Sequence, residues 1–229
     1  MKLLFWKKTP MPEPEPRRSW NHHQLMIEKD GEIAQIGPQE LERRCRIIYN
    51  PQLDFLKKAQ QFSVMRKTMN YHEKGLLDPQ QMWLGAYFQK EIDSLVLPPV
   101  RLKWISDAIG WGVFAERDLK PMEFIGEYAG RVRRKMRSDK KNAYCFQYTI
   151  VNGDQTPYTV DAMDQGGLTR FINHSDHPNL KSALATLRQL SHVILFVSRP
   201  IQKGEQLCYD YGIDYWKKRG KPQNFTFPV

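Results

Sequence analysis

Residues 170–179 of the chain have the sequence RFINHSDHPN, in which an apolar pair is followed directly by Asn-His-Ser. Pro178 prevents any helix from continuing through this stretch, because proline lacks the backbone N–H and clashes with the preceding turn. The pattern indicates buried backbone that ends in a polar loop lining a pocket. A plain Asn/Ser/Pro turn after a strand is the alternative interpretation of these residues taken alone.

Two further stretches favour the pocket. Gly110-Trp111-Gly112 lies upstream, and a glycine-bounded stretch, GEQLCYDYG, occupies residues 204–212. Glycine adds no side chain, so residues 110–112 let the backbone approach a bound molecule closely. Tyr209 and Tyr211 are two positions apart and would share one face of a strand. Each stretch has a plainer interpretation by itself: a simple turn for the glycines, and two core residues for the tyrosines.

In this order and at this spacing, the three stretches resemble the SET domain, a fold of protein lysine methyltransferases. The resemblance covers about residues 98 to 216, with the domain itself expected over 98–212. It implies an α+β fold with a β-rich domain of several short sheets. In that fold the stretches holding Asn173 and Tyr211 thread past one another as a pseudoknot, an exception to the usual unthreaded topology.

The resemblance also implies the residues of a site for S-adenosylmethionine. The backbone of the glycine stretch and the side-chain amide of Asn173 would meet the amino-acid end of the cofactor, and His174 would hold the adenine through its backbone. Trp216 is expected on a different ground: the aromatic segment after the domain could fold over the cofactor in place of the cysteine-rich segment that closes the site in many family members. The cofactor-binding residues expected in all are Gly110, Trp111, Gly112, Tyr144, Asn173, His174 and Trp216.

For catalysis, the resemblance implies Tyr211 as the catalytic tyrosine, in a narrow channel that it shares with Tyr144 and Tyr209. A neutral lysine amine would attack the methyl group on the sulfonium in line. Free lysine has a pKa of about 10.4, so deprotonation costs about 4 kcal/mol near neutral pH. Dry tyrosine walls and the sulfonium charge both lower that pKa. The hydroxyl of Tyr209 would occupy the space that a larger amine needs, which predicts mainly monomethyllysine.

Neither a metal site nor a disulfide framework is expected. The three cysteines, Cys45, Cys145 and Cys208, are widely spaced and form no Cys-x-x-Cys pair, which favours a reducing compartment. The chain has 229 residues, 41% of them hydrophobic, enough for a globular core. The first eight residues carry an apolar run too short for a signal-peptide core, and no membrane-spanning stretch follows. We therefore expect a soluble intracellular protein, with export to a host nucleus by a route without a cleaved signal left open.

The segments on either side of the domain have different characters. Residues 1–20 alternate prolines with acids, which predicts an extended tail. Residues 21–97 are predicted to be a helical segment, with one helix starting at Pro38 and a later one capped by Asp78. Pro98-Pro99 marks the boundary, and residues 213–229 form an aromatic and basic segment that would close the site.

The net charge of +10 favours an acidic partner or plain solubility, and a basic block, Arg131 to Lys141, concentrates part of it. The block is either a solvated insert or a contact surface for DNA or a nucleosome. The lack of cysteine-rich flanking segments makes the chain most similar to bacterial, chlamydial-type members of the family, which suggests a histone or histone-like substrate and a bacterial effector that regulates host chromatin. The rival hypotheses are a catalytically inactive DNA- or nucleosome-binding module and a methyltransferase of a non-chromatin protein.

Overall fold

The structure is a computed structural model that describes residues 20, 22–151, 153–154, 156–217 and 219. Of the extended tail predicted over 1–20, only Trp20 falls within these ranges. The expected closing segment, 213–229, is described for residues 213–217 and 219, so that Phe225 and Phe227 lie outside.

Short helices and many short strands alternate along the described chain. The helices are α1 (Pro38–Cys45), α2 (Lys58–Glu73), α3 (Pro79–Tyr87), α4 (Gln89–Ser94) and α5 (Ile213–Lys217), with 3-10 turns at Arg137–Lys140 and Leu168–Phe171. The strands are β1 (Leu25–Lys29), β2 (Glu32–Ile36), β3 (Ile48–Tyr49), β4 (Asp54–Phe55), β5 (Val100–Ser106), β6 (Gly110–Ala115), β7 (Phe124–Glu127), β8 (Arg131–Arg134), β9 (Cys145–Gln147), β10 (Tyr158–Asp161), β11 (Gln165–Gly166), β12 (Asn173–His174), β13 (Leu180–Leu187), β14 (Leu190–Val197) and β15 (Cys208–Tyr209).

These strands form several small sheets. Two have four strands each, in the orders β2-β1-β5-β6 and β4-β8-β10-β9, and a third has the order β13-β14-β7. Two further pairs, β11 with β3 and β12 with β15, are parallel. The inner faces meet in one main core, represented by fully buried Val113, Val160 and Leu195. The α+β prediction of a β-rich domain with several short sheets is confirmed.

Two helix starts predicted from sequence in the segment before Pro98 are confirmed. Pro38 occupies the first turn of α1, and the Asp78 carboxylate caps α3 by accepting from the Gln80 N–H. Gly75, with a φ of 65°, follows the end of α2 and lies between α2 and α3.

The prediction of a helical segment over 21–97 did not include the hairpin formed by β1 and β2. Asp30 and Gly31 both have positive φ, 55° and 84°, which is the geometry of a tight hairpin turn. Strand β1 then pairs in parallel with β5, so this sheet continues across the position of Pro98-Pro99. Ile48, which matched the helical spacing, lies in β3, because α1 closes at Arg46 in the left-handed region.

Residues 183–201 were expected to hold one strand, yet the chain forms a second hairpin there. β13 and β14 pair along eight residues, and the turn between them has Arg188 and Gln189 at φ 47° and 64°. An Arg-Gln pair lacks the Asn-Gly type of signal that marks such a turn, so the residue types gave no indication of it. β14 is the most buried strand of its sheet and carries Ile194 and Leu195 into the core.

The basic block is a solvated insert only in part. Its first residues form β8, an inner strand of its sheet, which places alternate side chains on opposite faces. Arg133 is largely buried, and its guanidinium contacts Asp139 at 2.7 Å and Asp161 at 2.6 Å. Arg134 and Arg137, in contrast, are exposed. The insert interpretation is therefore wrong for Arg133, because the acids that hold it approach from the following turn and from the neighbouring strand. It is borne out for the exposed residues that follow.

Candidate functional site

The three motif stretches lie side by side. Backbone hydrogen bonds join residues 204–207 to β6: Leu207 N–H donates to Val113 O at 2.8 Å, and Ala115 N–H donates to Glu205 O at 3.0 Å. The same segment continues as β15, which pairs in parallel with β12. Residues far apart in the chain therefore lie side by side, in the order β6, residues 204–209 and β12. We call this arrangement the strip. The predicted crossing of the two stretches requires these segments to be neighbours.

Asn179 fastens this strip. Its Nδ2 donates to Glu205 Oε1 at 3.0 Å and to Gln206 O at 2.8 Å, and its Oδ1 accepts from Cys208 N–H at 2.8 Å. The side chain is 2% exposed, so these groups have no access to water as an alternative partner. Sequence reasoning assigned Asn179 no role, although it ends the RFINHSDHPN stretch, because its partners lie more than 25 residues away.

A cavity of about 1210 Å³ opens beside the strip. Nearly all of the residues expected at the site line it, namely Gly110, Trp111, Tyr144, Asn173, His174, Tyr209, Tyr211 and Trp216. Gly112 does not line the cavity. A Cβ at this position would lie 2.7 Å from Ile105 Cδ1 and 2.9 Å from Gln206 Nε2, so the ends of these two side chains would have to shift to accept a larger residue.

Asn173 and His174 are fixed by hydrogen bonds to the neighbouring segments. Asn173 Nδ2 donates to Trp111 O at 3.2 Å, which leaves its Oδ1 as the acceptor for a bound group. His174 is buried, and its Nδ1 accepts from Tyr211 N–H at 3.2 Å, so the proton of the neutral ring lies on Nε2. The imidazole therefore holds the Tyr211 backbone in place, which is a structural role.

The aromatic side chains form a continuous cluster around Tyr211. Its ring centroid lies 4.8 Å from that of Tyr209 and 4.7 Å from that of Tyr215, and its hydroxyl donates to Ile172 O at 2.9 Å. Burial raises the pKa of both Tyr209 and Tyr211 well above 10. Both hydroxyls therefore stay protonated near neutral pH and act as hydrogen-bonding groups rather than as bases.

Tyr144 is held from two sides. Its carbonyl accepts from the Tyr128 hydroxyl at 2.9 Å, and the guanidinium of Arg170 lies 4.2 Å from the centre of its ring. Arg170 in turn donates to Ala162 O at 2.7 Å and Met163 O at 3.0 Å. Tyr128 and Arg170 were not singled out from sequence. For Arg170, the available signal was its position directly before the apolar pair in the stretch of residues 170–179.

The start of the closing segment covers the cavity with α5. Trp216 lies nearly parallel to Tyr211, with centroids 6.2 Å apart, and its ring meets His174 edge-on at 4.8 Å. Arg219 stacks over Tyr215 at 4.3 Å and donates to Asn142 O in the segment before β9. Trp216 was expected from sequence, whereas Tyr215 and Arg219 were not.

Neither a metal cluster nor a membrane span is found in the described part of the chain. There, no group of three or more His, Cys, Asp or Glu side chains is placed to hold a metal ion. None of the described helices is long and apolar enough to cross a membrane.

Comparison with known proteins agrees with this geometry. Residues 110–212 match the family model of the SET domain. The chain is 32% identical over 117 residues to histone-lysine N-methyltransferase EHMT1 of Homo sapiens, an alignment that covers 49% of this chain and 9% of that protein. It is 34% identical over 125 residues to histone-lysine N-methyltransferase Su(var)3-9 of Drosophila melanogaster, covering 49% and 20%.

A third relative is histone-lysine N-methyltransferase Set8 of Drosophila melanogaster, at 38% identity over 112 residues, or 45% of this chain and 16% of the relative. The chain thus spans a small part of the length of the curated relatives it matches. The family model begins at the first residue of β6 and ends at Gly212, just after the tyrosine stretch. The fold, the strip of three motifs and these matches together identify residues 110–212 as a SET domain.

Proposed function

We propose that the protein is a protein-lysine N-methyltransferase that uses S-adenosylmethionine. The observation that carries this proposal is the cavity in which Asn173, from β12, and Tyr211, from the segment after β15, meet between neutral tyrosine walls. The names of the three relatives support it, because each is a histone-lysine N-methyltransferase.

The residues of the cavity fit the cofactor. Asn173 Oδ1 is an acceptor for the ammonium of its amino-acid end, since Nδ2 is occupied by Trp111 O. Trp216 offers an aromatic face for the adenine, beside the backbone of His174. When bound, S-adenosylmethionine supplies a methyl group activated by a positively charged sulfur.

The chain's own residues would prepare the substrate lysine. Tyr144, Tyr209 and Tyr211 line the cavity and exclude water, which disfavours a charged ammonium and lowers the lysine pKa. The guanidinium of Arg170 behind Tyr144 acts in the same direction. The protonated hydroxyl of Tyr211 and backbone carbonyls such as Ile172 O then orient the neutral amine, so positioning accounts for much of the rate.

The identity of the substrate is a finer question. A histone or histone-like protein is suggested by the names of the relatives, and a ribosomal or other basic protein is the alternative. Incubation with labelled cofactor and a panel of histones, ribosomal proteins and bacterial basic proteins separates the two. Similarity to the bacterial branch and an effector role in host chromatin, intracellular location and export also remain predictions.

An inactive DNA- or nucleosome-binding module is the second candidate, favoured by the exposed part of the basic block. Arg134, Arg137, Lys140 and Lys141 are exposed and available for phosphates. Arg133 is not, because Asp139 and Asp161 hold it. The ordered Tyr211 and Asn173 within one cavity favour the enzyme over this alternative.

The first prediction concerns cofactor binding. Replacing Asn173 by Ala (Asn173→Ala) removes the acceptor for the ammonium, and we expect the Kd for S-adenosylmethionine to rise at least tenfold, from a loss of about 1.5 to 3 kcal/mol. Isothermal titration calorimetry measures it. As a control, Asn50→Ala removes an amide that accepts from Gln52 N–H away from the cavity and should leave the Kd unchanged. An unaltered Kd in folded Asn173→Ala protein would contradict the assignment.

The second prediction concerns the catalytic tyrosine. Tyr211→Phe deletes one hydroxyl and its bond to Ile172 O, at a stability cost of about 1 kcal/mol, while turnover should fall on the order of a hundredfold. Cofactor affinity should be retained. Tyr148→Phe is the matched control: its hydroxyl is buried and accepts from Ser191 N–H, and it does not line the cavity. If Tyr211→Phe turns over within a few-fold of wild type, Tyr211 is only a core residue.

The third prediction concerns how many methyl groups are added. Tyr209 is 6% exposed and packs on Tyr211, so its hydroxyl occupies space that a dimethylated amine would need. We expect wild type to give mainly monomethyllysine and Tyr209→Phe to shift the product to higher methylation without slowing the first transfer. Intact-mass spectrometry of a single-lysine peptide over a time course measures this. If the wild type proceeds directly to trimethyllysine, the steric argument is wrong. Tyr158→Phe in β10 is the control, and it should leave the product as in the wild type.

A further inference from the structure

The cavity is lined by a strong excess of positive charge. Among the described residues, two acidic side chains line it, Asp139 and Asp214, against six basic ones. We call these six the basic rim: Arg44, Arg46, Lys135, Lys140, Arg170 and Arg219. Four of them are exposed and two, Arg170 and Arg219, are half-buried. Positive charge therefore extends from the mouth of the cavity to its aromatic walls.

The two acids do little to cancel this charge. Asp139 accepts hydrogen bonds from Arg133 at 2.7 Å and from the Met136 N–H at 2.8 Å. Both of its carboxylate oxygens are therefore already bound to neighbouring residues. Asp214 is exposed and lies 3.7 Å from the Nζ of Lys217. The nearby carboxylate of Asp161 lies behind the wall, where it also contacts Arg133.

The basic rim itself is only partly neutralised. Glu40 contacts Arg44 at 2.5 Å, but it shares its carboxylate with Arg43. Arg170 and Arg219 donate to backbone carbonyls, which are neutral acceptors and leave the charge of each guanidinium intact. The Nε of Arg219 is buried and has no hydrogen-bond acceptor among the described residues. The positive charge of this guanidinium therefore has no carboxylate partner among its contacts with the described residues.

We propose that the preferred substrate is a lysine flanked by acidic residues, aspartate or glutamate, rather than a lysine within a polybasic tail. This inference rests on the proposed function, and it names a different charge around the target lysine from that of a basic tail. A polybasic flank would bring like charges against Arg46, Lys140 and Arg219, whereas carboxylates would meet charges of the opposite sign there. The same positive field lowers the pKa of the target lysine and so favours the amine that reacts.

A nucleic acid is the other anion that a basic surface attracts. The peptide is favoured because the charges line the same cavity as Tyr144, Tyr209 and Tyr211, the residues proposed to surround the lysine side chain. Nonspecific nucleic-acid binding uses instead a groove that follows the phosphate backbone over several nucleotides. The inference also replaces the basic, histone-like tail expected from sequence, since that expectation did not include the charges that α1 and α5 bring to the cavity.

The test uses three single-lysine peptides that differ only in their flanks, which are glutamate, glutamine or arginine. The full chain should methylate the glutamate peptide with the highest kcat/KM and the arginine peptide with the lowest, about tenfold apart at about 50 mM salt. The difference should shrink at about 500 mM salt, because salt screens charges at the exposed part of the rim. Equal rates, or a preference for the arginine peptide, would overturn the proposal.

Charge reversal on the rim gives the complementary test. The double variant Arg46→Glu and Lys140→Glu should lose the preference for glutamate flanks or invert it. The readout is the ratio of kcat/KM between the glutamate and arginine peptides, which a uniform loss of activity does not change. The control Lys58→Glu and Lys90→Glu makes the same change of net charge at exposed positions that do not line the cavity, and should keep the wild-type order. If the double glutamate variant unfolds at a lower temperature than the wild type, the variant Arg46→Gln and Lys140→Gln replaces it. This variant should at least halve the ratio of kcat/KM between the glutamate and arginine peptides.

Three outcomes distinguish a failure of this inference from a failure of the proposed function. If all three peptides are methylated equally, the enzyme stands and the substrate class proposed here is wrong. If single-stranded RNA or duplex DNA binds through Arg46 and Lys140 while the order of the peptides is unaffected by the double variant, the basic rim serves nucleic acid, which also refutes the inference. Methylation of none of the peptides, together with no binding of S-adenosylmethionine, refutes the proposed function itself.

Discussion

The site depends on a parallel pairing of two residues with two residues, Asn173–His174 with Cys208–Tyr209. So short a pairing would not hold by itself, because each ordered residue costs on the order of 1 kcal/mol of backbone entropy. It is supported on one side by the hydrogen bonds of residues 204–207 to β6. On the other side, the buried amide of Asn179 satisfies the backbone of Gln206 and Cys208. The residues proposed to bind the cofactor and those proposed to act in catalysis are thus positioned by the same few hydrogen bonds.

Around this strip, two arginines position the aromatic walls. Arg170 stacks on Tyr144 from behind, and Arg219 joins Tyr215 in the closing helix to Asn142 in the segment before β9. Both arginines donate to carbonyl oxygens, so their charge remains in the wall. One arrangement therefore gives rigid aromatic surfaces and a positive field, and both of these disfavour a protonated lysine.

The residues of the site were largely accessible from sequence, because Asn173, His174, Tyr209 and Tyr211 lie in short local patterns and line the same cavity. What held them together was not accessible. Asn179, Arg170 and Arg219 act on partners distant in the chain, and nothing in their immediate sequence identifies those partners. The hairpin at Arg188-Gln189 was missed for want of a turn signal, and the one at Asp30-Gly31 was missed although such a signal was present. Arg133 looked like solvated charge until the fold placed Asp139 and Asp161 beside it.

If the pairing fastened by Asn179 creates the binding site, the variant Asn179→Ala should weaken cofactor binding. Asn179 does not line the cavity, so any effect on cofactor affinity must pass through the strip. We predict that the free energy of unfolding falls by about 3 kcal/mol and that the Kd for S-adenosylmethionine rises at least tenfold. Ile92→Ala, in the separate cluster beneath α4, should cost about as much stability and leave the Kd unchanged. A folded Asn179→Ala protein with the same loss of stability and a wild-type Kd would contradict the account.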